Sequence, residues 1–190
     1  MDNNTGNSCA ALVEAFGEKV RESLVAFLRE KGALDEVVPV CPDVEEKWGA
    51  VARAYLPDGV REFQGYPVVS LGWMMFIGMA VAWYWDSDWE RRGAEENLYE
   101  QLRDMRGYDN MDEAITEDLL GYSGNTARKV TDLAADCAAR VYALLGRERL
   151  EPGTEAAFGC YVAALRQLYL AGMAVELNAL GYHMTPVGLN

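Results

Sequence analysis

The sequence predicts an all-α protein, a single-domain helical bundle of about six or seven helices around a central apolar helix over residues 68–85. Apolar residues recur at helical spacing along most of the chain. Gly and Pro residues separate these stretches, and no β-hairpin signal or run of alternating β-branched residues is found. With 190 residues, 51% of them hydrophobic, the chain is long enough for one core, so residues 1–190 are predicted to form one domain.

The first third of the chain is predicted to hold two helices joined by a proline-containing linker. An amphipathic helix is predicted over about 8–32, because its apolar residues recur every three or four positions. The linker 37–42 contains two prolines and cannot continue that helix. Asp43 is predicted to cap a short helix that ends near Tyr55, and the sequence Leu-Pro-Asp-Gly at 56–59 is predicted to form a turn.

The segment 68–85 contains no charged residue, and only Ser70 in it is clearly polar. Its 18 residues reach the length of a membrane-spanning helix, and aromatic residues near its end resemble an interfacial belt. A helix in the core of a soluble protein is also apolar on all sides, because other helices surround it. We favour this second interpretation, because the other long helices are amphipathic and need a central partner to cover their apolar faces.

Residues 86–118 carry twelve Asp and Glu residues, four Arg and no Lys, a net charge of −8 within a chain whose net charge is −13. We call this stretch the acidic segment. It is predicted to form a surface helix that breaks at Gly107, followed by a short helix over about 109–120. Nucleic-acid binding and attraction to an anionic membrane both require an excess of basic residues, so the composition argues against them.

The last third of the chain is predicted to form two long helices. The first begins at Ser123 and ends near Gly146, and the second covers about 154–180. The sequence Gly-Met-Ala-Val at 78–81 recurs at 172–175. Because two core helices share a similar composition, we favour coincidence. If the repeat has a physical use, its small Gly and Ala residues let the two apolar helices approach closely.

The sequence gives little support for catalysis or metal binding. It contains one histidine, His183, so a di-iron bundle or a His/Cys zinc site cannot be assembled. No nucleotide-binding glycine motif occurs, and the four cysteines form no CxxC pair. We therefore predict no metal and no cofactor. Reduced, scattered thiols are typical of a cytoplasmic protein, which is the predicted location. The cysteines are Cys9, Cys41, Cys137 and Cys160.

Two groups of residues remain candidates for a binding site. Asp86, Asp88 and Glu90 have the spacing of the start of a calcium loop, but Arg91 and Asn97 occupy the positions that need Gly and Glu. A looser cation site at these three carboxylates is one hypothesis, and a solvated acidic helix end is the other. The aromatic residues that precede and interrupt this stretch are candidates for lining a ligand pocket. They are Tyr84, Trp85 and Trp89.

Glu176 is the one polar residue that falls on an apolar helix face. A carboxylate at such a position needs a hydrogen-bond partner, a cation or a raised pKa, and perturbed carboxylates cluster at functional sites. Glu176 and His183 are therefore the candidate catalytic residues. The alternative is that Glu176 has a structural partner and that His183 is an ordinary residue near a helix end.

The sequence leaves the function open between two hypotheses. The first is a non-enzymatic binding or regulatory protein whose acidic segment contacts a basic partner. The second is a small-molecule binder or enzyme with a pocket near Glu176 and the Trp85–Trp89 region. A membrane-embedded protein ranks third. A structure separates the first two, since a polar-lined pocket beside Glu176 favours the second.

Overall fold

The computed structural model describes residues 3–184, and over these residues the protein is an all-α bundle without β-strands, as predicted. A 3₁₀ turn, Tyr108–Asn110, precedes α6, and a π-helical segment, Ala114–Leu119, follows it directly. Eight α-helices lie in the described range, slightly more than predicted. They are α1 (Asn3–Glu30), α2 (Pro42–Glu46), α3 (Trp48–Phe63), α4 (Pro67–Arg92), α5 (Leu98–Arg106), α6 (Met111–Glu113), α7 (Gly124–Arg147) and α8 (Glu155–Ala179).

The central apolar helix is confirmed as α4, and every residue from Ser70 to Ala82 is buried. The helix packs most closely against α8 and also against α7 and α3, while α1 covers α8 from another side. Helices α4 and α8 run in the same direction. Near their starts Ser70 lies beside Tyr161, and near their ends Asp86 lies beside Tyr182.

Helix α4 extends beyond the predicted end at residue 85 and includes the first residues of the acidic segment. The backbone of Asp88 departs from helical geometry, with φ −153° and ψ 38°, so the helix kinks there. The amine of Lys47 donates to the carbonyl oxygens of Gly93 and Glu95, which lie just past the helix end. These bonds satisfy carbonyl groups that have no partner inside the helix.

The predicted turn at 56–59 is wrong, because α3 continues through Pro57 to Phe63. Proline removes one backbone hydrogen bond, but a buried face with residues four apart holds the helix together across it. Val51, Tyr55 and Gly59 form this face. A side chain at Gly59 would meet the Tyr55 ring and the Tyr161 hydroxyl, so glycine is required for the close packing of α3.

A buried hydroxyl network joins the beginnings of α4 and α8 to α3. The Ser70 hydroxyl donates to the carbonyl oxygen of Gly59 at 2.8 Å and lies 2.7 Å from the Tyr161 hydroxyl. The Tyr55 hydroxyl donates to the carbonyl oxygen of Ser70 at 2.5 Å. The one clearly polar residue of the apolar helix is thus hydrogen-bonded, as a buried hydroxyl must be if it is not to destabilise the fold.

Within residues 3–184, two helices, α4 and α8, are long and apolar enough to cross a membrane by length and composition alone. Other helices bury 78% of the most apolar stretch of α4 and 61% of that of α8. Such burial is typical of core helices in soluble bundles and favours the interpretation of α4 as a core helix. Solubility and cytoplasmic location remain predictions.

Candidate functional site

Glu176 lies near the end of α8 and is 1% exposed, so the burial expected from its helical position is confirmed. Its Oε2 accepts a hydrogen bond from the hydroxyl of Tyr122 at 3.0 Å. Among the described residues, Tyr122 is the side chain that forms a hydrogen bond with the Glu176 carboxyl group, and no Lys, Arg or His there forms an ion pair with Glu176. The polar partner expected for the carboxyl group is therefore a tyrosine and not an arginine.

An irregular segment of backbone brings Tyr122 to Glu176. The π-helical Ala114–Leu119 is followed by Gly121, whose φ of +70° favours glycine. The amide of Tyr122 then donates to the carbonyl oxygen of Thr116 at 2.8 Å, which closes the segment over itself. π-Helical turns are rare and occur frequently at functional sites. The sequence did not identify Tyr122, because a loop residue has no periodicity that predicts its direction.

Burial raises the pKa of Glu176 to about 7; the hydrogen bond from Tyr122 opposes this shift and the nearby carboxylate of Asp86 adds to it. Burial also raises the pKa of Tyr122, and the charge of Glu176 raises it further. The tyrosine therefore keeps its proton and donates it in the hydrogen bond. The carboxyl group is thus able to gain or lose a proton near neutral pH inside the protein.

The ends of α4 and α8 meet beside this carboxyl group. Asp86 accepts a hydrogen bond from the hydroxyl of Tyr182 at 2.6 Å. The Tyr182 ring contacts the Trp85 ring edge to face, with centroids 5.3 Å apart, and the Trp85 indole donates to Asp43 at 3.0 Å. These contacts join the chain after α8 to α4 and to α2, and they leave Trp85 engaged with protein partners.

The structure does not pair the two candidate catalytic residues. His183 is exposed after α8, and its Nδ1 lies 2.6 Å from Oδ2 of Asp35. No hydrogen bond joins His183 to Glu176 in the described chain. An acid–base pair of these two residues thus has no support from the geometry, whereas the His183–Asp35 contact holds the segment after α8 against the segment after α1.

The three aromatic candidates point to different surroundings. The Tyr84 ring is buried beneath the guanidinium of Arg92, 4.6 Å from its centroid. The Trp89 ring faces the amine of Lys47 at 5.7 Å. Five grooves and cavities found in residues 3–184 include neither these aromatics nor Trp85 or Glu176 in their walls. Each of these aromatic rings contacts a different polar or charged side chain of the protein.

The three candidate cation ligands do not converge either. Asp86 is held by Tyr182, and Asp88 lies 3.4 Å from Arg91 and 3.8 Å from Arg92. Glu90 is exposed. Among the described residues, no group of three or more His, Cys, Asp or Glu side chains is arranged to hold a metal ion. The geometry is that of an acidic helix end paired with its own arginines.

Carboxylates of the acidic segment gather instead around Arg106 at the end of α5. The guanidinium lies 2.6 Å from Asp118, 3.3 Å from Glu117 and 3.5 Å from Glu113. Partial burial raises the pKa of the neighbouring Asp112, and the negative charges of Glu113 and Glu117 raise it further. We call Asp112, Glu113, Glu117 and Asp118 the carboxylate cluster. Three carboxylates on one arginine, with Asp112 close to Glu113 and Glu117, leave a local excess of negative charge.

Comparisons with known protein families, with curated proteins and with solved structures found no match.

Proposed function

We propose that this chain is a non-enzymatic binding protein whose acidic segment contacts a basic protein or peptide. The observation that carries the proposal is the carboxylate cluster around Arg106, where Glu113, Glu117 and Asp118 are all exposed. An excess of one charge on an accessible surface attracts partners of opposite charge and accelerates their association.

The arginines of the acidic segment do not neutralise it. Arg91 pairs with Asp88, Arg92 with Glu95 at 3.0 Å, and Arg103 with Asp104 at 2.9 Å. Arg106 is paired as well. All four arginines of 86–118, a range that the structure describes in full, therefore form ion pairs within the protein itself. The remaining carboxylates still outnumber them, and a partner that carries Lys or Arg would supply the missing positive charge.

The alternative hypothesis of a pocket joining Glu176 to the Trp85–Trp89 region has less support. Glu176 is buried behind Tyr122 and lies outside the walls of the five grooves and cavities described above. A substrate needs access to the group that reacts with it. A binding surface formed by exposed carboxylates needs no such access.

Binding to a short peptide rich in lysine and arginine tests the proposal, measured by fluorescence anisotropy at low and at physiological salt. The variant Glu113→Gln, Glu117→Gln, Asp118→Asn removes three charges from the carboxylate cluster. Since exposed charge pairs contribute about 0.2–1 kcal/mol each, we expect the Kd to rise on the order of tenfold. Binding should also weaken steeply as salt increases.

A matched control removes three exposed charges elsewhere: Glu14→Gln and Glu22→Gln on α1 with Asp132→Asn on α7. The proposal predicts a much smaller change in Kd for this variant, because the net charge is equal but the carboxylate cluster is intact. Equal weakening in the two variants would mean that the peptide senses only net charge. That result, or no measurable binding at low salt, contradicts the proposal.

A further inference from the structure

A cavity of about 150 Å³ lies between α1, the linker after it and α8, on a different part of the molecule from the acidic segment. Its floor is formed by Leu24 and Leu28 of α1, Leu34 of the linker and Met173 of α8. All four side chains are at most 4% exposed. The floor is therefore entirely apolar and lies deep in the protein.

The sequence explains why this space is not filled. The linker between α1 and α2, residues 31–41, contains Pro39 and forms neither helix nor strand. Opposite the linker, α8 contributes the small side chains of Ala171 and Ala174 beside the larger Met173. The cavity opens to solvent past the exposed Val40, so a small ligand can reach its apolar floor.

Hydrogen bonds hold the linker in place above the cavity. The Arg29 guanidinium donates to the carbonyl oxygens of Asp35, at 3.1 Å, and of Glu36. At the start of the linker, the side-chain amide of Asn178 donates to the carbonyl oxygen of Ala33 at 3.2 Å. Because these bonds fix the linker to α1 and α8, the linker does not need to collapse into the space below it.

We infer that this cavity is a binding site for a small, uncharged, apolar molecule of about the size of benzene or a short alkyl chain. A charged ligand would lose its hydration against the leucine and methionine floor without gaining a partner. An enclosed, engineered protein cavity of about 150 Å³ with similar apolar walls binds benzene, so a space of this volume can hold a ligand of that size. Pockets that bind nucleotides and drug-sized ligands have volumes of about 300–1,000 Å³, so molecules of these classes are too large for this cavity.

The rim of the cavity agrees with a neutral ligand. Arg21 at the rim is already bound by Glu18, with its Nε 3.0 Å and 2.9 Å from the two carboxylate oxygens. Glu45 places a negative charge at the same rim, so neither sign dominates. The side chain of Gln167 also lies at the rim, and it is neutral.

Titration with benzene, followed by ¹³C-methyl NMR of methionine, tests the inference on the whole chain. We expect the Met173 methyl signal to shift with saturation, while the signals of Met74 and Met75, which are buried in α4, stay in place. The Tm should rise with benzene concentration, because a ligand that binds only the folded state stabilises it. Benzoate, a charged probe of similar size, should bind at least about tenfold more weakly.

Two variants fill the cavity from opposite walls: Ala174→Leu from α8 and Val38→Phe from the linker. Each should abolish the shift of the Met173 signal, and having both keeps the test decisive if one variant fails to fold. Val69→Phe, at an exposed position of α4, serves as the control and should leave benzene binding unchanged. The inference is overturned if benzene never shifts the Met173 signal, if benzoate binds as tightly, or if a folded, filled variant binds benzene like the wild type.

Discussion

Gly78 of α4 and Gly172 of α8 face each other's helix backbone at the closest approach of the two helices. A β-carbon at Gly78 would overlap the carbonyl oxygen of Tyr169, and one at Gly172 would overlap the carbonyl oxygen of Met75. The contact is reciprocal. Gly78 lies against Tyr169, three residues before Gly172, and Gly172 lies against Met75, three residues before Gly78. The sequence alone favours coincidence for the repeated Gly-Met-Ala-Val, whereas the structure places both copies where the two core helices approach closely.

Gly78→Ala and Gly172→Ala should each destabilise the protein strongly. The added methyl group would meet backbone atoms, which cannot move aside like a flexible side chain, so the two central helices must separate. We expect a loss of about 1–3 kcal/mol or more in the free energy of unfolding, measured by urea denaturation. Gly146→Ala is the control.

Gly146 lies in α7 with open space around its Cβ position. Alanine is more favourable than glycine in a helix by about 0.5–1 kcal/mol, so this control should be neutral or slightly stabilising. Equal stability of Gly78→Ala and the wild type would show that the helices are not held at backbone contact.

Helix positions followed from the sequence where apolar periodicity and capping residues agreed. Ser123 and Thr154 precede α7 and α8, and the Thr154 hydroxyl accepts from the amide of Ala157 at 3.2 Å. The continuation of α3 through Pro57 could not be predicted, because it depends on burial against α4 and α8. Local sequence preference favoured a turn there, and tertiary packing outweighed it.

The candidate site was predictable only in part. The burial of Glu176 follows from its position on a helix face, which the sequence defines. Its partner Tyr122 depends on a π-helical turn and a positive φ at Gly121, and neither has a recognisable sequence pattern. The separation of His183 from Glu176 depends on the contact with Asp35, a residue 148 positions away in the chain.

We predict that the protein is recovered in the soluble fraction without detergent, because α4 is covered by other helices. Ile77→Asp should then prevent folding, since an unpaired charge at a residue with 0% exposure costs more than typical domain stability allows. Val69→Asp, at 38% exposure on the same helix, should be tolerated. Expression followed by fractionation and circular dichroism checks this, and recovery only with membranes would contradict the core interpretation.

Tyr122→Phe should destabilise the protein and raise the pKa of Glu176 further, because the hydroxyl now favours the charged carboxylate. Loss of a hydrogen bond to a buried carboxylate costs about 1–3 kcal/mol, so we expect the free energy of unfolding to fall by this amount at pH 8. The fall should be smaller at pH 5, where Glu176 is protonated. Tyr66→Phe, at an exposed position, should change stability by less than about 0.5 kcal/mol.

A double-mutant cycle tests whether the effect passes through Glu176. On a Glu176→Gln background, Tyr122→Phe should cost less at pH 8 than it does in the wild type, because the charged acceptor is gone. If the cost is the same on both backgrounds, the Tyr122 hydroxyl stabilises the protein through something other than the carboxylate.

Glu176 itself should make the protein less stable as the pH rises toward neutrality. Its pKa is about 7 in the folded state against an ordinary value of 4.5, so the folded state binds the proton more tightly than the unfolded chain. The stability that this proton contributes is fully present below about pH 4.5 and is lost as the pH rises through about 7. The difference amounts to on the order of 3 kcal/mol over that window.

Glu176→Gln should remove this dependence, because glutamine stays neutral and still accepts a hydrogen bond from Tyr122. Near pH 5 the variant and the wild type should be about equally stable, since glutamine closely matches the protonated carboxyl group in shape. At pH 8 the variant should be the more stable protein, because the wild type must bury a charge whose hydrogen-bond partner in the described chain is a neutral tyrosine. Urea unfolding at pH 5, 6, 7 and 8 measures both, with the exposed Glu96→Gln as the control that keeps the wild-type profile. Parallel pH profiles for the wild type and Glu176→Gln would mean that the carboxyl group titrates alike in the folded and unfolded chains, which contradicts its assignment as a buried proton-binding group.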